Sequence, residues 1–160
     1  MVPTLAQGQL AVLADVLLAM LLGGAIGFER ALSGKAAGMR THMLIAGAAC
    51  FLVLLGTLLT SAFANGDTGQ LRSDPLRMIE AVVAAIGFIG GGMIIRQSRA
   101  GVEGLTTAAS LLFTAGVGIC VALSQFALAI GATLLVVVVL AGFSRVESWL
   151  ARRLRGNRND

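Results

Sequence analysis

Five stretches of this chain are each long and apolar enough to cross a lipid bilayer, and little sequence is left to join them. A hydrocarbon core of about 30 Å takes roughly 20 helical residues at about 1.5 Å each. Windows near 10–28, 41–63, 75–95, 105–123 and 125–143 meet that length. Runs of this length predict helices. The expected fold is therefore an all-α membrane protein, with a five-helix transmembrane domain over 1–144 and a basic tail over 145–160.

Composition agrees with that class. The 160 residues are 57% hydrophobic and 12% charged, with a mean hydropathy of +0.89, whereas about a quarter of the residues in a soluble domain are charged. The short connections predict no soluble module and leave no room for a conventional aqueous enzyme core. The fifth segment is apolar all round at Val136 to Val139 and reads as an outer, lipid-facing helix. The first segment is not expected to be a cleaved signal, since residues 1–9 contain no Lys or Arg and the apolar run is too long for a signal core.

Basic residues set the orientation. Arg30, Lys35 and Arg40 fall in the 29–40 connection, Arg96 and Arg99 in the 96–104 connection, and Arg145, Arg152, Arg153, Arg155 and Arg158 in the tail, leaving only Arg72 and Arg77 for the opposite side. The positive-inside rule then places the N-terminus outside and the C-terminus in the cytoplasm. The tail "RRLRGNR" is explained by topology and by anionic lipid headgroups, so nucleic acid is not expected as a partner.

Motifs for soluble chemistry fail on spacing. "GFERALSGKAAG" puts six residues between Gly27 and Gly34 where a phosphate-binding loop has four, and Ala36 stands where a hydroxyl would hold magnesium. "GFIGGGMIIR" is not a dinucleotide fingerprint and follows no strand. Cys50 and Cys120 lie inside apolar segments without metal-ligand spacing, so neither a disulfide nor a structural metal is assigned. The single histidine, His42, has no nucleophile in its own loop. No cofactor is expected.

The chain resembles itself. "GAIGFER" (24–30) and "AAIGFIG" (84–90) share Ala-Ile-Gly-Phe at the same end of a span, and "GMRT" (38–41) and "GLTT" (104–107) share a Gly-x-x-Thr that opens the next. Segments 1–2 and 3–4 read as two copies of one helical hairpin, in parallel repeat, with a fifth peripheral helix. The competing account is simply that Gly and Ala are common in membrane helices.

Helical spacing shows where small and polar residues gather. Glu80, Ala84, Gly87 and Gly91 form one stripe on segment 3, while segment 1 offers Gly23-x-x-x-Gly27 beside a face bearing Asp15 and Ala19. Gly23, Gly27, Gly87 and Gly91 are thus expected to be close-packing positions. Segment 2 aligns His42, Ala46, Ala49, Gly56 and Thr60; segment 4 aligns Thr107, Thr114 and Gly118, with Ser110 on the flank. All four stripes are expected to point inward, either as packing surfaces with hydroxyls bonded to carbonyls or as a path for a solute. Three consecutive glycines, Gly90 to Gly92, predict a kink or break in segment 3.

Asp15 and Glu80 lie inside spans near the outer boundary, where an ionisable group is costly and so a functional candidate. Glu80 is expected to face protein. At the other boundary Glu29 and Arg30 close segment 1 while Arg40, Thr41 and His42 open segment 2, a hairpin in which Glu29 is expected to pair with Arg40.

These residues resemble a known family. "GGAIGFERALSGKAAGMRTHMLIAGAACFLVLLG" and "DPLRMIEAVVAAIGFIGGGMIIRQSRAGVEGLTTAASLLFTAGVGI" are similar to the MgtC/SapB family of bacterial inner-membrane proteins, through G-x-E-R, G-[ML]-R-T-H, D-P-x-R, G-F-I-G-x-G and G-L-T-T-A-A. The resemblance runs from about Leu10 to Leu140. It implies a five-span bundle in the plasma membrane, a link to magnesium limitation and, for the founding member, survival in phagocytes through restraint of the ATP synthase. MgtC-like members tend to have Asn where this chain has His42 and Thr106, and Trp-Cys where it has Leu112-Phe113, so the chain looks more like the SapB branch and the virulence role is not carried over. Many members also end in a soluble ACT-like domain; this sequence stops at Asp160, so ligand sensing by such a domain is not expected of it.

The reading that results is a membrane regulatory or interaction protein, not an enzyme, embedded in lipid and assembled as a homo-oligomer, with a dimer favoured. The alternative is a small cation transporter or channel using Asp15 and Glu80 at its outer mouth. Arg40, Thr41, His42, Thr106 and Thr107 are the remaining polar candidates.

Overall fold

The structure is a computed structural model that describes the backbone of residues 5–64, 75–97 and 104–156, with side chains over 8–61, 76–95 and 104–143. Five helices account for almost all of it: α1 (Leu5–Leu32), α2 (Met39–Ala64), α3 (Pro75–Gln97), α4 (Gly104–Ala122) and α5 (Phe126–Gly156). Each contains an apolar stretch long enough to span a bilayer. This is a multi-pass membrane protein. The expected windows match these helices, but α1 extends further at both ends and α5 continues as helix through the start of the basic tail to Gly156. All of the expected 64–74 loop but its first residue, and most of the 96–104 connection, with Arg72 and Arg99, lie outside the described residues.

Two of the connections are closed by backbone bonds. At the end of α1, Gly34 takes a left-handed conformation (φ 65°), and the Lys35 N–H reaches back to the Arg30 carbonyl at 3.0 Å. That turn satisfies carbonyls orphaned at the helix end. The same device ends α4, with Ser124 at φ 57° and the Gln125 N–H bonded to the Cys120 carbonyl at 2.8 Å.

Helix α2 packs on α1, α3 and α4, and α4 packs on α1, α2, α3 and α5, so these two form the centre of the bundle. One apolar cluster joins Ile45, Ala49 and Val53 of α2 to Val82 and Ile86 of α3 and to Leu111, Ala115 and Ile119 of α4. A second joins Ala19 and Ile26 of α1 to Ala46 and Cys50 of α2, Val117 and Val121 of α4, and Ala129 and Val136 of α5. Among its described side chains, helix α5 buries little beyond Ala129, Thr133 and Val136, in keeping with an outer position.

The stripe on α3 is where the structure departs from the sequence reading. Glu80, Ala84 and Gly87 are exposed on the surface of the chain and Gly91 only partly covered, and a methyl group at Gly87 or Gly91 would meet nothing within 4 Å. These two glycines are not packing positions within the chain, and Glu80 does not face its own bundle. The face α3 buries is the opposite one, carrying Val82, Ile86 and Gly90. That face meets Ile45, Ala49 and Val53 of α2 and Leu111, Ala115 and Ile119 of α4, where branched side chains make contacts that glycine could not. Gly90 to Gly92 also cause no break: α3 is helical throughout, with Gly90 lying against Ala108 of α4. In hydrocarbon a broken helix would leave backbone groups without partners, a larger cost than glycine's poor propensity. The two hairpins therefore diverge in use. The repeated isoleucine is buried in both, as Ile26 and Ile86, but the glycine after it packs only in the first, as Gly27 and not Gly87.

Candidate functional site

The polar residues of the interior converge where α1, α2 and α4 meet. Glycines make the meeting possible. A methyl group at Gly23 would stand 2.6 Å from the His42 carbonyl oxygen, and one at Gly27 would stand 2.6 Å from Met39 Cα and 2.9 Å from His42 Cβ. On the far side of α2, a methyl group at Gly118 would collide with the backbone of Ala46. Helix α2 is thus clasped between glycine faces of α1 and α4, backbone nearly on backbone, as small residues allow in membrane helices.

His42 lies in the clasp at 0% exposure. Its Nδ1 is 2.9 Å from the Gly38 carbonyl one turn earlier, and its Nε2 is 3.1 Å from Ser110 Oγ on α4. Ser110 Oγ in turn donates to the Thr107 carbonyl at 2.8 Å, and Thr114 Oγ1 donates to the Ser110 carbonyl at 2.8 Å. Thr107 and Thr114 are buried to 1% and 0%. A count of hydrogens constrains the chemistry. Three contacts, Nδ1 to Gly38, Nε2 to Ser110 and Ser110 to Thr107, need one hydrogen each; a neutral imidazole and one hydroxyl bring two. The relay is complete with an imidazolium and one hydrogen short with a neutral ring.

One turn closer to the membrane surface, Glu29 and Arg30 end α1. Glu29 accepts from Arg30 Nε and from Ser33 Oγ, the latter at 2.8 Å. The expected pairing with Arg40 does not form; Arg40 is exposed. The neighbouring guanidinium and the hydroxyl one turn on reach the carboxylate without crossing the connection, so the pair is local to α1. Both members are buried, Glu29 to 8% and Arg30 to 2%.

The remaining candidates are dispersed. Asp15 is half-buried on α1, Glu80 is on the outward face of α3, Thr41 is half-buried beside His42, and Thr106 is exposed in the first turn of α4. Asp15 and Glu80 make no hydrogen bond or ion pair among the described residues. The structure brings together Gly23, Gly27, His42 and Thr107, and apart from them Glu29 and Arg30. What the sequence reading did not find is the partner of His42. Ser110 was visible as the flank of a hydroxyl stripe, but its register against α2 depends on where Gly118 meets Ala46, which no single-helix pattern reveals.

The sequence profile of the MgtC family matches residues 16–149. The chain is 33% identical to a protein of Haemophilus influenzae over 93% of its own length and 62% of that protein's. It is 36% identical to the protein named putative magnesium transporter YhiD of Escherichia coli, over 82% of its own length and 60% of that protein's. It is 40% identical to the protein MgtC of Salmonella typhimurium, over 76% of its own length and 48% of that protein's. The chain thus spans less than two thirds of the length of each of these three relatives. No solved structure matches it.

Proposed function

The chain belongs to the MgtC family, and from that membership together with the closed interior we propose that it is a regulatory or interaction protein of the bacterial inner membrane, linked to magnesium limitation, and not an enzyme. The observation that carries the reading is the use made of the polar interior. Ser110 and Thr114 spend their hydroxyls on carbonyls of α4, Thr133 does the same on α5, and Gly23, Gly27 and Gly118 bring backbones into contact. Hydroxyls already spent on carbonyls of their own helix make a poor lining for a path, while the glycine contacts and the His42–Ser110 bond hold the helices together. The Ser110–His42 pair is likewise a poor nucleophile site, since the serine proton is directed at a carbonyl and the ring is sealed from solvent.

A regulator acts through a surface. The outward face of α3 offers Ala84, Gly87 and Gly91 without internal partners and a carboxylate, Glu80, that costs about 2.5 kcal/mol or more if left against hydrocarbon near the bilayer centre and less toward its edge. Pairing of that face with a second copy removes both anomalies, so the assembly is a homodimer through α3. The ATP synthase is the partner complex to which the family resemblance points. The distribution of basic residues supports an outer N-terminus and a cytoplasmic C-terminus.

The name of the Escherichia coli relative favours a second reading, a magnesium transporter. Affinity purification from magnesium-starved cells, followed by mass spectrometry, separates the two. A regulator co-purifies with a stoichiometric membrane complex that is lost in a Gly87→Leu variant; a transporter is recovered with itself and lipid alone.

A further inference from the structure

A cleft of about 340 Å³ opens beside the Glu29–Arg30 pair, lined by Arg30 and Ser33 at the end of α1, Lys35 after its closing turn, Thr106 in the first turn of α4, and Leu140 and Phe143 of α5. Its charges do not balance. Two cations meet one carboxylate, and Glu29 is already engaged by Arg30 Nε and Ser33. Arg30 is 2% exposed, yet both of its terminal nitrogens lack a protein partner among the described residues, and so does the Lys35 ammonium. A buried guanidinium with most of its donors unspent is expensive unless something accepts them. The first turn of α4 adds the positive end of a 19-residue helix on the same side.

We propose that this cleft binds a phosphate group, with the Arg30 fork and Lys35 on its oxygens and the Thr106 hydroxyl beside them. Its depth suits that ligand. Helix α1 ends at Leu32 and the apolar run of α5 gives way to Ser144 and Arg145 in the sequence, so the cleft lies at the level where lipid phosphates sit, and Leu140 and Phe143 give an acyl chain an apolar wall beneath it. The phosphate is either that of an anionic lipid or a free phosphate ion.

Full-length protein tests the site in two arms. In an uncharged detergent, inorganic phosphate is titrated and binding read by calorimetry and by the unfolding midpoint. In nanodiscs, phosphatidylcholine alone is compared with phosphatidylcholine containing phosphatidylglycerol, read by the midpoint and by lipid retained in native mass spectrometry. A response to phosphate alone assigns the free ion, and a response to phosphatidylglycerol alone assigns the lipid. A response to both assigns a site for either. In each case Lys35→Ala, which removes a charge-assisted bond from a connection, weakens binding about tenfold. Arg30→Lys, which cannot serve Glu29 and the ligand together, weakens it further, while Arg77→Ala on α3 leaves it unchanged. The proposal is overturned if neither probe binds, or if Lys35→Ala and Arg77→Ala weaken binding equally, which is general surface charge.

Discussion

His42 Nε2 on α2 lies 3.1 Å from Ser110 Oγ on α4, joining residues 68 positions apart. The contact ties the first helical hairpin to the second. Other side-chain hydrogen bonds, from Thr57, Thr114 and Thr133, turn back on their own helices and bring no helices together. The tie sits in the glycine clasp formed by Gly23, Gly27 and Gly118, so packing and hydrogen bonding act on the same few residues.

If the tie is energetic, Ser110→Ala leaves the buried Nε2 without a partner and costs about 1–2 kcal/mol. His42→Gln should cost a similar amount. In a double-mutant cycle, read by unfolding in mixed micelles, the pair should be non-additive by about 0.5–2 kcal/mol. Additive losses would mean that the two side chains merely adjoin.

Glycine positions should divide sharply. Gly23→Ala and Gly27→Ala push a methyl group onto α2 backbone and Cβ atoms, and each should lose about 1–3 kcal/mol. Gly87→Ala enters open space and improves helix propensity, so it should hold or raise stability by up to about 1 kcal/mol. The same unfolding assay ranks all three variants.

The α3 face predicts how copies assemble. Gly87→Leu has room within the chain and should leave each copy folded while converting dimer to monomer in mild detergent, as measured by light scattering. Glu80→Gln keeps the shape of the face and removes its charge. It should insert and assemble normally yet fail to support growth in magnesium-poor medium, and a variant that loses assembly as well would make Glu80 a structural hydrogen-bonding residue.

Topology gives a separate check. A reporter fused after Asp160 should read cytoplasm, and one placed within 64–74 should read the outside, because the reverse arrangement would put all but Arg72 and Arg77 of the basic residues on the wrong side. Inverted labelling would contradict that orientation and move the phosphate cleft to the outer leaflet.

The five helices were legible because length and hydropathy are local properties of a stretch. So were the faces of α1, α2 and α4: His42, Ala46 and Ala49, or Thr107, Thr114 and Gly118, fall inward as their spacing requires. On α3 the same reasoning chose the wrong side. Small residues mark a surface that something can approach closely, but they do not say whether the neighbour belongs to the same chain. Val82 and Ile86 pack against Ile45, Ala49 and Val53 of α2 and Leu111, Ala115 and Ile119 of α4, and which side of α3 meets those helices is a property of the bundle. Glu29 illustrates a second limit, since Arg30, Ser33 and Arg40 were all within reach on paper and the carboxylate took the two partners nearest it at the end of α1. The contact of His42 with Ser110 required the register between two helices, which is set by Gly118 against Ala46.

A polar interior given over to holding helices together does not conduct ions. Purified full-length protein, reconstituted into liposomes loaded with a magnesium-sensitive dye, tests it directly. The expected result is magnesium influx indistinguishable from protein-free vesicles, with an imposed membrane potential of either sign and for Glu80→Gln as for the wild type. Influx that rises with the amount of protein and falls in Asp15→Asn or Glu80→Gln would contradict it and establish the conduit.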